Sequence, residues 1–237
     1  MLEGIDIQNI LFLDIETVPQ NPSFDEAPKV MQLLWEKKAR QIIRDDKETP
    51  DSIYRQAGIY AEFGKIICIS CGYFSEGRKL RIKSFYGDDE RKVLKEFAGL
   101  LTKFFSKPNR MLCAHNGKEF DFPFMARRLV INGLKLPAVL DTSGKKPWEV
   151  NHLDTMELWK FGDYKSYTSL LLLATILGIP TPKDDIDGSM VWEVYWKEKN
   201  LERIAIYCQK DVLTVAQIFL RFKGEQLLAE TETEIVA

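Results

Sequence analysis

Cysteine is scarce in this chain. Four in 237 residues cannot build the dense disulfide framework of a small secreted domain, and they point to a reducing compartment. Long apolar runs are missing too: the longest, Leu170 to Ile179, is interrupted by Thr175 and Gly178 and is too short to cross a bilayer. Met1-Leu2-Glu3-Gly4 lacks the basic-then-apolar profile of a secretion signal, so a cytoplasmic address is expected. There is no internal repeat and no low-complexity tract. Nor is there an excess of one charge: 33 Lys and Arg against 35 Asp and Glu give a net charge of −2, so the molecule as a whole is not an electrostatic sponge for nucleic acid. What remains is an ordinary globular composition, 45% hydrophobic, 11% aromatic and 29% charged, which excludes disorder and a collagen-like fibre. The length allows one large domain or two small ones with a real core.

Along the chain, Ile10 to Ile15 is a short apolar run of the kind that forms a strand buried on both faces. Residues 20–62 read as an insertion lying over the core, with a helix around Lys29 to Arg44 that packs through Val30, Leu33, Leu34 and Ile42. Ile66 to Phe74 and Leu80 to Tyr86 form a hairpin about Glu76-Gly77. Asp88-Asp89 caps a helix to about Phe105, with Val93, Leu94, Phe97, Leu101 and Phe104 on one face. Met111 to His115 is a further short strand, followed by a helix from about Phe122 to Asn132. The rest is mostly helical: Asp154 to Phe161, Ser166 to Leu177, Met190 to Lys199 and Leu201 to Phe222. This succession predicts an α/β fold with a mixed sheet and a helical C-terminal part. With no linker dividing the halves, residues 1–223 are expected to be one domain and 224–237 a flexible acidic tail.

Carboxylates carry the chemistry. Asp14 follows four apolar residues at the expected end of the first strand, where burial without a cation costs several kcal/mol. In a strand, residues two apart share a face, so Asp14 and Glu16 converge on one point and suit a hard divalent cation such as Mg²⁺ or Mn²⁺; a plain strand-end acid is the competing reading. In His-Asn-Gly-Lys-Glu-Phe-Asp-Phe-Pro (115–123), Asp121 taken alone reads as a helix N-cap. Tyr207 and Asp211 lie one turn apart on the shoulder of a stripe formed by 201, 204, 205, 208, 212, 215, 219 and 222, and taken alone they read as an i,i+4 surface pair.

Taken together and in order, these residues resemble the three motifs of the DEDD exonuclease superfamily. They look like its DEDDy branch, with a tyrosine four residues before the last aspartate. Phe-Leu-Asp-Ile-Glu-Thr-Val-Pro (12–19), the 115–123 stretch, Tyr-Cys-Gln-Lys-Asp-Val (207–212) and Ile-Pro-Thr-Pro-Lys-Asp-Asp-Ile-Asp-Gly-Ser (179–189) closely resemble the proofreading-exonuclease-like family related to family B DNA polymerases. The resemblance covers residues 8 to 223. The DEDDh branch needs a histidine five residues before Asp211; Ile206 stands there, and the chain has two histidines, His115 and His152.

The resemblance implies a ribonuclease H-like three-layer fold, a mixed central sheet flanked by helices, and 3′→5′ hydrolysis releasing 5′-mononucleotides from single-stranded or frayed DNA. An RNA 3′-end trimmer, a non-catalytic relative and an endonuclease are the alternatives. Two cations would be held by Asp14, Glu16, Asp211 and Asp121, with Asp14 bridging. Tyr207 would orient or help deprotonate the attacking water. Thr17, Asn116, Lys118 and Phe120 are expected to contact the nucleic acid, with Arg127, Arg128, Lys183, the Lys145-Lys146 pair and Phe124 as further candidates. Other residues read as structural. Cys68 and Cys71 fall on opposite faces of a strand and cannot close on one metal. His152 reads as a satisfied edge histidine, Asp154 with Glu157 as a capping box, and Leu170 to Leu173 as core.

Overall fold

The computed structural model describes residues 2–163, 167–180 and 186–236. The chain enters through β1 (Ile10–Pro19), whose apolar start is covered on both sides. Leu11, Leu13 and Ile15 pack on one face of the sheet, against α2 (Glu90–Phe104) and α3 (Asp121–Ile131). Ile10 and Phe12 pack on the other, against Val212, Val215, Ala216 and Phe219 of α7 (Leu201–Lys223). That two-sided burial explains a continuous apolar run where a one-sided strand would alternate. β2 (Gly64–Phe74) pairs antiparallel with β1 and β3 (Leu80–Tyr86) antiparallel with β2, the two joined by a turn in which Gly77 takes a left-handed φ of 77°. β4 (Met111–Ala114), β5 (Leu153–Asp154) and β6 (Thr233–Val236) add by parallel pairing, giving the order β5-β4-β1-β2-β3-β6. A mixed sheet between helical layers is the α/β arrangement that the sequence predicts.

Asp89 caps α2, accepting a hydrogen bond from Lys92 N at 3.1 Å. The layer under α2 and α3 is tied by a buried ion pair: Glu90 receives Arg128 Nε at 2.8 Å and Nη2 at 2.5 Å, and also takes the Ile66 N–H at 2.7 Å. With Asn132 Nδ2 as a fourth donor at 2.9 Å, each Glu90 oxygen accepts two hydrogen bonds and the buried charge is compensated.

Four expectations are corrected. β1 does not end at Ile15 but runs to Pro19, with a bulge against β2 between Glu16 and Thr17. α1 (Lys29–Ile42) turns Val30, Leu33 and Leu34 outward, with Val30 62% and Leu33 59% exposed, while Ile42 packs as expected. The helix buries Gln32, Trp35 and Ala39 against Ala27, Ile53, Tyr54 and Ala57, so the insertion carries its own small core around Trp35. Residues 224–236 are not a loose tail. Leu228 is buried, its backbone is held at both polar groups by the Gln217 side chain, and β6 pairs with β3. Leu171 and Leu172 of α5 (Leu170–Ile176) are exposed, and only Leu173 of the run is buried.

α4 (Thr155–Lys160) matches its expected span. The Met190–Lys199 helix is a short turn, α6 (Val191–Glu193), that widens into a π-turn over Val194–Glu198 and stops at Lys199 with φ 56°. Ser166, where α5 was expected to begin, lies outside the described residues.

Candidate active site

β4 pairs with β1 only as far as Phe12–Cys113 and gives way after Ala114 to the loop that opens α3. Beyond that point β1 projects alone on this side, and the Ile15 N–H donates to Asp121 Oδ1 at 3.2 Å. Asp121 is therefore not the N-cap of α3 but its first residue, reaching across to the strand. Asp14 and Glu16 point to the opposite side, toward α7, where the Cys208 thiol donates to Asp14 Oδ2 at 3.2 Å. α7 brings Tyr207 and Asp211 to the same point on the edge of its buried stripe. All four carboxylates and Tyr207 line one cleft of about 1150 Å³, outside the carboxyl ends of parallel strands β1 and β4, where open α/β sheets bind ligands.

Crowding and burial decide the electrostatics. Burial, and then the charges of Glu16, Asp211 and Asp121, hold the Asp14 carboxyl well above the usual carboxylate range. Glu16 is raised by burial and then chiefly by Asp211. Asp121 is pushed up to about 7, again first by burial, although its own backbone N–H and that of Ile15 pull the other way. Tyr207 is raised by burial and by Asp211, Glu16 and Asp14, and its hydroxyl donates to Asp211. Such a group of acids favours either protonation or bound cations. The donors are carboxylate oxygens, which suit hard divalent ions, and ligand atoms of Asp14, Glu16 and Cys208 lie within 4.8 Å of one another. The residues present fit a divalent metal centre.

Asp154 holds the frame. Its carboxylate accepts from Asn116 N at 2.9 Å and Lys118 N at 3.1 Å, and caps α4 through Met156 N at 2.9 Å. The expected box is half formed, because the Glu157 carboxylate pairs with Lys118 Nζ at 2.8 Å. His115 braces the far wall, with Nδ1 at 2.9 Å from Thr155 Oγ1 and Nε2 at 2.8 Å from Thr168 O. The His152 Nε2 meets Val139 O at 2.8 Å, but its buried Nδ1 has no partner among the described residues, so the expected satisfied edge histidine is satisfied at one nitrogen only. Cys68 and Cys71 occupy opposite sides of the sheet, in separate core clusters.

Of the expected nucleic-acid contacts, Thr17, Asn116 and Phe120 line the cleft. Asn116 holds a left-handed φ of 62°, and its buried side-chain oxygen has no partner among the described residues. The others do not line it. Lys118 is outside the cleft lining and paired with Glu157, Arg128 is locked to Glu90, and Arg127 reaches Glu62 at 3.5 Å. Phe124 is core, and Lys145 and Lys146 are outside the cleft lining. Lys183 lies outside the described residues. The sequence reading missed Ile59, Tyr167 and Leu171 as cleft walls. The signal available for Leu171 was an apolar run too wide for one helix face to bury.

Comparison with known proteins adds the lineage. The family described as "predicted 3'-5' exonuclease related to the exonuclease domain of PolB" matches residues 59–234. A DNA polymerase of Pyrococcus glycovorans is 25% identical over 145 residues, covering 56% of this chain and 18% of the polymerase; the chain thus matches less than a fifth of that relative's length. Among solved structures, the family B DNA polymerase of the hyperthermophilic archaeon Pyrobaculum calidifontis aligns with a TM-score of 0.49 at 16% identity, over 89% of this chain and 24% of that one. With the family match extending over most of its residues, the chain belongs to the predicted 3′–5′ exonucleases related to the exonuclease domain of PolB.

Proposed function

We propose that this chain is a metal-dependent 3′→5′ exonuclease that hydrolyses the terminal phosphodiester of single-stranded or frayed DNA and releases 5′-mononucleotides. The observation that carries the reading is the convergence of Asp14, Glu16, Asp121 and Asp211 with Tyr207 in one open cleft. Asp14, Glu16 and Asp211 would hold one divalent ion, Mg²⁺ or Mn²⁺, and Asp14 and Asp121 a second; such a pair supplies charge neutralisation at the attacking and leaving oxygens of an in-line displacement.

The protein's own groups do the positioning. The Ile15 N–H fixes the Asp121 carboxylate from behind, and the Cys208 thiol does the same for Asp14. Tyr207, whose hydroxyl donates to Asp211, is placed to orient Asp211 and the attacking water. Thr17, Asn116 and Phe120 are suited to grip the terminal nucleotide, with Phe120 offering a face for its base. The bond broken is the one between phosphorus and the 3′ oxygen of the preceding nucleotide. Residues 2–236, insertion and β6 included, act in this reading as one exonuclease domain.

The test uses end-labelled DNA and RNA strands of one sequence with Mg²⁺ or Mn²⁺, with and without EDTA. Mononucleotides should appear from the DNA 3′ end, stop in EDTA, and fall at least about a hundredfold in Asp14→Ala and Asp211→Ala variants. Preferential release from RNA would replace the DNA assignment, and oligonucleotide products would make the chain an endonuclease. Binding without turnover would leave a non-catalytic relative. Release undiminished in EDTA ends the reading.

A further inference from the structure

A ledge of alternating cations and aromatic rings leads away from the acidic cleft. One rim of the cleft is formed by Ile59, which closes a 3-10 stretch (Tyr54–Ile59) of the insertion, and by Met190, which opens α6. Immediately behind this rim the Arg55 guanidinium lies 4.0 Å from the centroid of the Trp192 ring, clasping the two segments together. Further along, Lys199 Nζ stands 4.8 Å and Lys65 Nζ 4.9 Å from the centroid of Trp196. Lys65 is committed, since it donates to Tyr195 Oη at 2.7 Å and that hydroxyl donates to Asp88 at 2.8 Å. Arg55 and Lys199 are exposed, and neither has a carboxylate within ion-pair distance among the described residues. Glu193, the acid whose carboxyl Arg55 influences, is already taken by Lys197 at 2.8 Å. Both indole N–H groups lack an acceptor among the described residues.

A guanidinium over an indole face keeps its charge and its fork of donors for a phosphate. The charges matter in this setting. Without metal, a cleft lined by four carboxylates repels an anionic strand, and uncompensated cations beside it offset that repulsion. The combination of separated cations and aromatic faces is the chemistry of sequence-tolerant single-strand binding.

We propose that Arg55 on Trp192 and Lys199 on Trp196 form a subsite for single-stranded nucleic acid, holding the nucleotides 5′ to the one being removed. The subsite deepens the exonuclease reading and rests on it for the strand's direction. Continuity with the cleft rim favours a polynucleotide over an acidic protein segment.

The test measures binding by the full chain in EDTA, where no metal-dependent turnover occurs. Labelled oligothymidylates of three and of about twelve nucleotides, the latter within the range one such groove covers, are followed by anisotropy. Arg55→Ala and Lys199→Ala should each weaken binding of the longer strand about three- to tenfold, leave the shorter within about twofold, and flatten the logarithmic salt dependence by about 0.7 per cation removed. Trp192→Phe should reduce the quenching of intrinsic fluorescence by the longer strand. Near-ultraviolet circular dichroism checks the fold of the Arg55 variant, and the Lys199 variant does not touch the clasp. Unchanged affinity and salt slope in an Arg55→Glu/Lys199→Glu double variant overturn the subsite and leave the ledge to an acidic protein. Equal losses on both lengths overturn it too. A protein that binds through the ledge in EDTA but releases no nucleotide with Mg²⁺ keeps the subsite and loses the exonuclease reading; normal release with the ledge variants unaffected does the reverse.

Discussion

A half-buried carboxylate at position 14, ringed by other acids, is stabilised by a cation beside it. Desolvation and three neighbouring acids raise its pKa, while a thiol is the one side-chain donor that lowers it. The consequence for the metal-free protein is a definite pH dependence. An aspartate has an unfolded pKa of about 3.9, whereas Asp121 in the folded chain is pushed up to about 7, and Asp14 and Glu16 move in the same direction. The folded state therefore retains protons that the unfolded state releases. The associated stability is complete below about pH 4 and is lost as pH rises to about 7. In chelator, the thermal midpoint should fall as pH is raised across that window, and millimolar Mg²⁺ or Mn²⁺ should restore it on the alkaline side. Asp14→Asn should raise the midpoint at neutral pH in chelator and shrink the metal-induced rise. A metal-free midpoint that does not change with pH would mean that the acids are farther apart, or wetter, than their pKa shifts require.

Elements matter here through where they stop. β4 is four residues long, and because it ends at Ala114 the last part of β1 stands clear of it, with a free edge that Asp121 can reach. The loop between them turns tightly at Gly117, where a Cβ would lie 2.4 Å from the Ala114 Cβ and 2.9 Å from the Phe122 ring. Gly117→Ala should therefore force the start of α3 outward, costing about 1–3 kcal/mol and carrying Asp121 away from Ile15 N. Urea denaturation and nucleotide release should fall together; a variant of normal stability and full activity would show that the loop adjusts freely. α7 was legible as a helix with a core stripe and a chemical shoulder, because 3.6-residue periodicity is local. α1 was not. Its apolar residues are plain in the sequence, but which face is covered depends on Trp35 meeting Tyr54 and Ala57 from a later segment.

At the scale of the whole molecule, the sheet is closed at one end by residues that composition alone marked as a frayed acidic tail. β6 covers the β3 edge, and Leu228 is buried in the same cluster as Phe12 and Phe219. Removing residues 225–237 uncovers that edge and one leucine, a loss of about 2–3 kcal/mol by burial alone, and should lower the thermal midpoint by roughly 5–10 °C. The exposed strand edge should also promote association on concentration. Calorimetry and light scattering would check both, and an unaltered midpoint would relegate β6 to decoration. None of the cleft walls comes from this segment, so nucleotide release well below the midpoint should survive the deletion.

The fold class and the exonuclease-related family were legible in the sequence, and so were the motifs that carry the acids proposed to do the chemistry. Alternation puts Asp14 and Glu16 on one face, helical spacing puts Tyr207 beside Asp211, and both rules act over a few residues. What those spacings could not decide was which charges remain available. Lys118 and Arg128 read as basic residues near a motif, and the fold consumes both in ion pairs; Arg55 and Lys199 read as ordinary surface charges, and the fold sets them on tryptophans beside the cleft. Burial, pairing and the meeting of residues 14, 121 and 211 are long-range contacts between segments that carry no local sign of one another, so only the tertiary structure could decide them.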